Sequence, residues 1–193
     1  MTALRFLCVA IAAISPDIAV AHEAFGDLGP FYTHMLHPAV DPAQGLVLVG
    51  TGALLARQPI EAVRPAYAIF ALAAALGISV LAVLPLTAPA MRMTGATAIV
   101  LGVLVTIGLP LPRWFVALIC AAMAAMAAVS FEMSGTAFII VQKAFGGALG
   151  LAVTVLFVWG TLDWTAQRVH PIATAVAGSW ITAAGLLVLA IPA

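Results

Sequence analysis

The stretch LGPFYTHMLHPAVDPAQGLVLVGTGALLA, residues 28–56, decides the architecture. It is mostly apolar and longer than the roughly 20 residues that cross a bilayer as a helix, yet His34, His37-Pro38 and Asp41-Pro42 interrupt it. A proline pushes the residue before it out of helical geometry, so Pro38 biases His37 toward an extended backbone. Asp41-Pro42-Ala43-Gln44 then reads as an N-cap, a proline at the first helical position and a capping-box amide. A helix from Pro42 to Ala56 would be about 22 Å long at 1.5 Å per residue, shorter than a hydrocarbon core of about 30 Å. The stretch is therefore expected to be one membrane element broken near His37-Pro38. Breaks at membrane depth are tolerated where they line a polar cavity, and transporters place ligands there.

The rest of the chain fits that setting. Of 193 residues, 65% are hydrophobic, and only 7 Lys+Arg and 7 Asp+Glu are present. A soluble domain carries about 25% charged residues, so the chain reads as an all-α, polytopic transmembrane bundle. Beyond the broken element, spans are expected at residues 65–86, 90–109, 114–130, 137–160 and 171–191, six membrane elements in all. The connections are too short for a soluble domain, so residues 22–193 form a single transmembrane domain. A formal net charge of zero without basic runs leaves no electrostatic footprint for nucleic acid.

Residues 1–21 carry Arg5, an apolar run from Phe6 to Ile14, Pro16 and the small-x-small triplet Ala19-Val20-Ala21. This is the pattern of a secretory signal peptide, whose cleavage would make His22 the mature N-terminus; an uncleaved signal anchor is the alternative. With that end outside the cytoplasm, Arg57, Arg64, Arg113 and Arg168 fall inside, and Arg92 and Lys143 outside, in the sense of the positive-inside rule. Trp114, Trp159 and Trp164 fall near span ends, whereas Trp180 does not. Small residues at four-residue spacing, Gly146 with Gly150 among them, permit close helix packing. Cys120, in an apolar run, reads as a small buried hydrophobe.

The scarce polar residues gather. His22, His34 and His37, three of the four histidines, lie between residues 22 and 44 with Glu23, Asp27 and Asp41. Ionisable groups at membrane depth usually mark a pathway or a site. His34 and His37, three residues apart, would share one side of a helix. Neutral imidazole suits nickel, cobalt, copper and zinc, and Met35 would add a soft ligand for copper. The candidate metal ligands are His34, His37, Asp41 and His22. Each also has a plain structural reading: Asp41 as a helix cap, His34 and His37 as interfacial or hydrogen-bonded histidines, His22 as incidental to the cleavage site. Glu132 reads as a remote ligand or a solvated loop carboxylate, Lys143 as a snorkelling side chain. The pairs Met91 with Met93 and Met123 with Met126 hint at copper, although methionine is also ordinary packing.

The arrangement resembles the HupE/UreJ family of small bacterial membrane proteins, associated with hydrogenase and urease maturation and regarded as nickel or cobalt permeases. The resemblance rests on the signal peptide, the Ala21-His22 start, an aromatic-containing stretch into His37-Pro38, and small apolar spans to the end of the chain. The family signature H-P-x-x-G-x-D-H-L is matched at His37-Pro38, but Asp41 stands in place of its glycine and Ala43-Gln44 in place of its Asp-His pair. The family's second histidine-rich region corresponds to Phe131-Glu132-Met133-Ser134-Gly135, which has no histidine. The resemblance implies either a normal permease or a divergent member with an altered metal preference or without transport.

Together these features predict a multi-pass protein of a bacterial inner membrane that binds a divalent transition metal ion, nickel, cobalt or copper, and passes it inward. No ATP-binding loop is present, so movement would be passive, ion-coupled or dependent on a membrane protein partner or homo-oligomer. The alternative is a structural or assembly subunit of a larger membrane complex. No nucleophile and base pair up in the sequence, so an enzyme is not expected.

Overall fold

A computed structural model describes residues 28–84 and 91–190. The expected signal peptide, His22, Glu23, Asp27 and the connection Thr87–Pro89 lie outside the described residues. The described chain is all helical: α1 (Gly29–Val40), α2 (Pro42–Leu55), α3 (Ile60–Leu81), α4 (Met91–Ile107), α5 (Arg113–Ala128), α6 (Ala137–Arg168) and α7 (Ala173–Ala190). Three of these, α3, α6 and α7, are long and apolar enough to cross a membrane, while α2, α4 and α5 are shorter apolar helices. With α1 and α2 counted as one element, they match the six expected from the sequence.

The break falls at Asp41, three residues beyond Pro38. Pro38 stays inside α1, and His37 is helical, unlike the extended backbone its proline neighbour suggested. Asp41 takes the extended conformation (φ −89°, ψ 105°) that Pro42 demands of it. Its Oδ1 accepts the backbone N–H groups of Ala43 at 2.9 Å and Gln44 at 3.3 Å, which caps α2.

Two further boundaries differ from the sequence reading. Helix α3 begins at Ile60 and takes in Pro65 beyond its first turn. Helix α6 runs to Arg168, because no Gly or Pro interrupts residues 161–170 and only Pro171 stops it. Past Gly160, an Asp163–Gln167 side-chain bond of 2.7 Å supports the extra turns.

Helix α2 is the centre of the bundle. Nine of its 14 residues are buried, and it touches α1, α4, α5, α6 and α7. Around it the helices pair as α4 with α7, α3 with α5, and α1 with α6. In lipid, exclusion from water contributes little to such pairing, so close van der Waals packing must hold the helices together. Glycine makes that approach available. A side chain on Gly146 would collide with the backbone of Phe31, and one on Gly150 with that of Met35. The Gly146/Gly150 pair picked out by its spacing is thus the seat of α1, and the two helices run in the same direction there.

The α4–α7 pair uses a seven-residue spacing instead. A Cβ on Gly95 would stand 2.9 Å from the Gly185 carbonyl oxygen, and one on Gly178 would stand 2.8 Å from that of Gly102. Two antiparallel backbones meet at both points. The outer surface is correspondingly apolar: Phe138, Phe157 and Trp180 are each more than 70% exposed, as side chains facing lipid would be. Trp180 lies within the length of α7, away from either end.

Candidate polar site at the helix break

At one end of the bundle the break in the first element meets the end of α5 and the start of α6. Gln44, in the first turn of α2, is 1% exposed. Its Nε2 donates to the carbonyl oxygen of Ala127 in α5 at 2.8 Å. A carbonyl only accepts, so the amide nitrogen faces Ala127 and the amide oxygen faces away from it. That oxygen, Oε1, lies 3.1 Å from His37 Nδ1. The imidazole must therefore donate from Nδ1, which in a neutral ring leaves the lone pair on Nε2. Gln44 does not turn back to close a capping box. It joins α1, α2 and α5 in one buried chain of hydrogen bonds.

His34 is held differently. Its Nδ1 lies 3.1 Å from the Pro30 carbonyl oxygen and its Nε2 3.3 Å from that of Glu132. Both nitrogens face acceptors, and a neutral ring can donate to only one of them. His34 thus ties α1 to the loop between α5 and α6, and would have to release a carbonyl to bind a metal. The two imidazoles share one neighbour, Phe131. Its ring centroid is 5.8 Å from that of His34 and 5.1 Å from that of His37. Phe131 is 5% exposed, and it fits because Gly147 has no side chain: a Cβ there would lie 3.2 Å from the ring.

The loop itself is pinned. Lys143 Nζ donates to the Glu132 carbonyl oxygen at 3.5 Å and to Ser134 Oγ at 3.4 Å, while Ser134 Oγ donates to the Glu132 carboxylate at 3.4 Å. Lys143 thus serves the loop next to the histidines, beyond simple snorkelling, and Glu132 contributes its backbone carbonyl to His34.

Of the expected metal ligands, the fold brings His34 and His37 together against Phe131. It places Asp41 at the cap of α2, and His22 lies outside the described residues. Among the described residues no three His, Cys, Asp or Glu side chains gather as a metal-holding group. Compared with family models, curated proteins and solved structures, the chain matches none.

Sequence reasoning missed Phe131 and Gln44 as the residues that organise the histidines. It also missed Arg57 at the opposite end, which read only as a loop charge. Arg57 Nη1 donates to Thr174 Oγ1 at 3.1 Å, while its Nε is buried without a partner among the described residues. The guanidinium occupies the space a side chain on Gly108 would need, and Gly108 has φ +68°. Gln58 beside it donates to the Leu109 carbonyl and accepts from the Leu111 N–H. Arg57 and Gln58 together close that end between α2, α4 and α7.

Proposed function

We propose that this membrane protein binds a divalent transition metal ion, nickel, cobalt or copper, at the histidine end and passes it across a bacterial inner membrane. In this reading the histidine end and the mature N-terminus face the periplasm, and the Arg57 end faces the cytoplasm. The observation that carries the reading is the bond from His37 Nδ1 to the buried Gln44 amide. Metal-ligating histidines usually donate their other ring N–H to a fixed acceptor, which orients the ring and raises its basicity. His37 has that arrangement before any ion arrives. His34 joins it on releasing the Glu132 carbonyl, with His22 and Asp41 as further ligands.

Uptake of labelled nickel, cobalt or copper into cells expressing the wild-type chain or a His34→Ala/His37→Ala variant tests the transport claim. Loss of uptake in the variant is expected, and equal uptake would defeat the claim.

A second reading, a structural or assembly subunit of a larger membrane complex, is favoured by one observation: no group of three metal-ligating side chains forms among the described residues. Stoichiometric membrane partners and no bound metal on purification would favour it.

A further inference from the structure

Helices α4 and α5 follow one another through only five residues, 108–112. So short a connection normally makes its helices close antiparallel neighbours. In this bundle α4 packs on α7, α5 packs on α3, and both pack on α2, while α4 and α5 do not pack closely on each other. Between them lies a cavity of about 360 Å³, lined by Ala96, Val100 and Leu104 of α4 and by Ile119 and Ala122 of α5. Leu101, 2% exposed, forms its floor, whereas Val100 and Leu118 at its rim are 59% and 58% exposed. The cavity is thus a cleft in the apolar outer surface, the one that faces lipid. A gap between helices forfeits the van der Waals contacts that hold helices together in a membrane, so an apolar filler stabilises it.

The dimensions of the cleft select the filler. From Ala96 to Leu104 it runs about 12 Å at 1.5 Å per residue. Over that length its volume gives a cross-section of about 30 Å², while a helix about 10 Å across needs about 80 Å². A hydrocarbon chain fits, and a helix from a partner or a second copy does not. Charge adds a headgroup. Arg92, Ala96, Val100 and Leu104 repeat every four residues, so Arg92 stands on the same face of α4, one turn beyond the cleft. This is the histidine end, where the neighbouring Met91 lines a cavity with Asp41 and Ser130. Arg92 is the only charged residue of α4 and Arg113 the only one of α5, so the two walls carry no acid. From Arg92 to Leu104 is about 18 Å, close to the about 15 Å of one leaflet, half of the hydrocarbon core. We propose that the cleft seats one acyl chain of an anionic phospholipid from the leaflet on the histidine side, with the Arg92 guanidinium on its phosphate. The lipid then does for α4 and α5 what direct packing does for the other helix pairs.

Native mass spectrometry of the purified full-length chain, incubated with phosphatidylglycerol or with phosphatidylcholine of the same acyl chains, tests the seat. The wild type is expected to retain one phosphatidylglycerol per chain and less phosphatidylcholine. Arg92→Gln should lower that preference by about 5-fold, the effect of one arginine beside an anionic headgroup. Ala122→Phe, which fills the cleft from its exposed rim, should abolish retention. Leu72→Phe, on the outer surface of α3 where Leu72 is 60% exposed, should leave it unchanged. A phosphatidylglycerol with a photoreactive diazirine near the end of its acyl chain should label the wild type around Leu104 and Ile119, a readout that needs no variant to fold. Four results overturn the proposal: equal retention by wild type and Ala122→Phe, equal retention of the two lipids, labelling spread evenly over α3, α6 and α7, or a second copy of the chain bound in place of the lipid. None of these measurements involves a metal ion, so the lipid seat and the imidazole site can fail independently.

Discussion

His37 Nδ1 and Gln44 Oε1 stand 3.1 Å apart across the break in the first membrane element. Because Gln44 is simultaneously anchored to the Ala127 carbonyl at 2.8 Å, the bond fixes three things together: the angle between α1 and α2, the tautomer of His37, and the place where α5 ends against α2. A structural amide thereby sets the chemistry of a histidine.

Replacing Gln44 by leucine should leave the His37 N–H without a buried acceptor and remove one donor from Ala127. The expected loss is about 1–3 kcal/mol, the cost of an unsatisfied buried group. Denaturant unfolding in detergent measures it, and an unchanged midpoint would mean that the relay carries no stability.

The seat of α1 on α6 gives an internal contrast among glycines. Gly150→Ala pushes a methyl group into the backbone of Met35, whereas Gly160→Ala meets nothing within 4 Å. The first should destabilise by about 1–3 kcal/mol through overpacking. The second should stabilise α6 by up to about 1 kcal/mol, the helix-propensity difference between glycine and alanine. Thermal unfolding of the two variants side by side should move in opposite directions.

At Asp41, capping and charge can be separated. Asparagine caps as well as aspartate, while alanine does not, so Asp41→Ala should cost about 0.5–2 kcal/mol and Asp41→Asn little. If the carboxylate also serves a metal, both variants lose metal affinity while only Asp41→Ala loses stability. Unchanged metal binding in both would leave Asp41 a cap alone.

At the far end, Gly108 combines φ +68° with the Arg57 guanidinium lying where its Cβ would be. Gly108→Ala should therefore cost more than the about 1–2 kcal/mol of the left-handed backbone alone. Arg57→Ala, which vacates that space, should reduce the additional penalty in the double variant. A double-mutant cycle on unfolding midpoints measures the coupling.

The helices were legible because long apolar runs are separated by short polar or Pro-containing connections. The start of α3 and the end of α6 were not, since Pro65 lies inside α3 and no Gly or Pro follows Gly160 before Pro171. The break was legible from Asp41-Pro42, since a capping residue followed by proline carries its own geometry; Pro38 misled because a proline within a short helix need not end it. The Gly146/Gly150 spacing showed that a close contact was available but not that α1 would fill it. Gln44, Phe131 and Arg57 were illegible for a common reason. Their partners, Ala127, the two histidines and Gly108, come from remote positions in the chain, and a local pattern does not say which distant group a polar side chain will meet. The glycines at 95, 102, 178 and 185 did leave a signal, a spacing of seven in each of two helices, which sets them two turns apart on one face and not one.

The central claim is that His37 offers a preorganised Nε2 to a divalent metal. Titration of nickel and cobalt into the purified chain, wild type against His37→Ala, tests it most directly. The account predicts saturable binding by the wild type that His37→Ala abolishes and that Gln44→Leu weakens through loss of the ring's anchor. Equal binding by wild type and His37→Ala, or none by either, would contradict it.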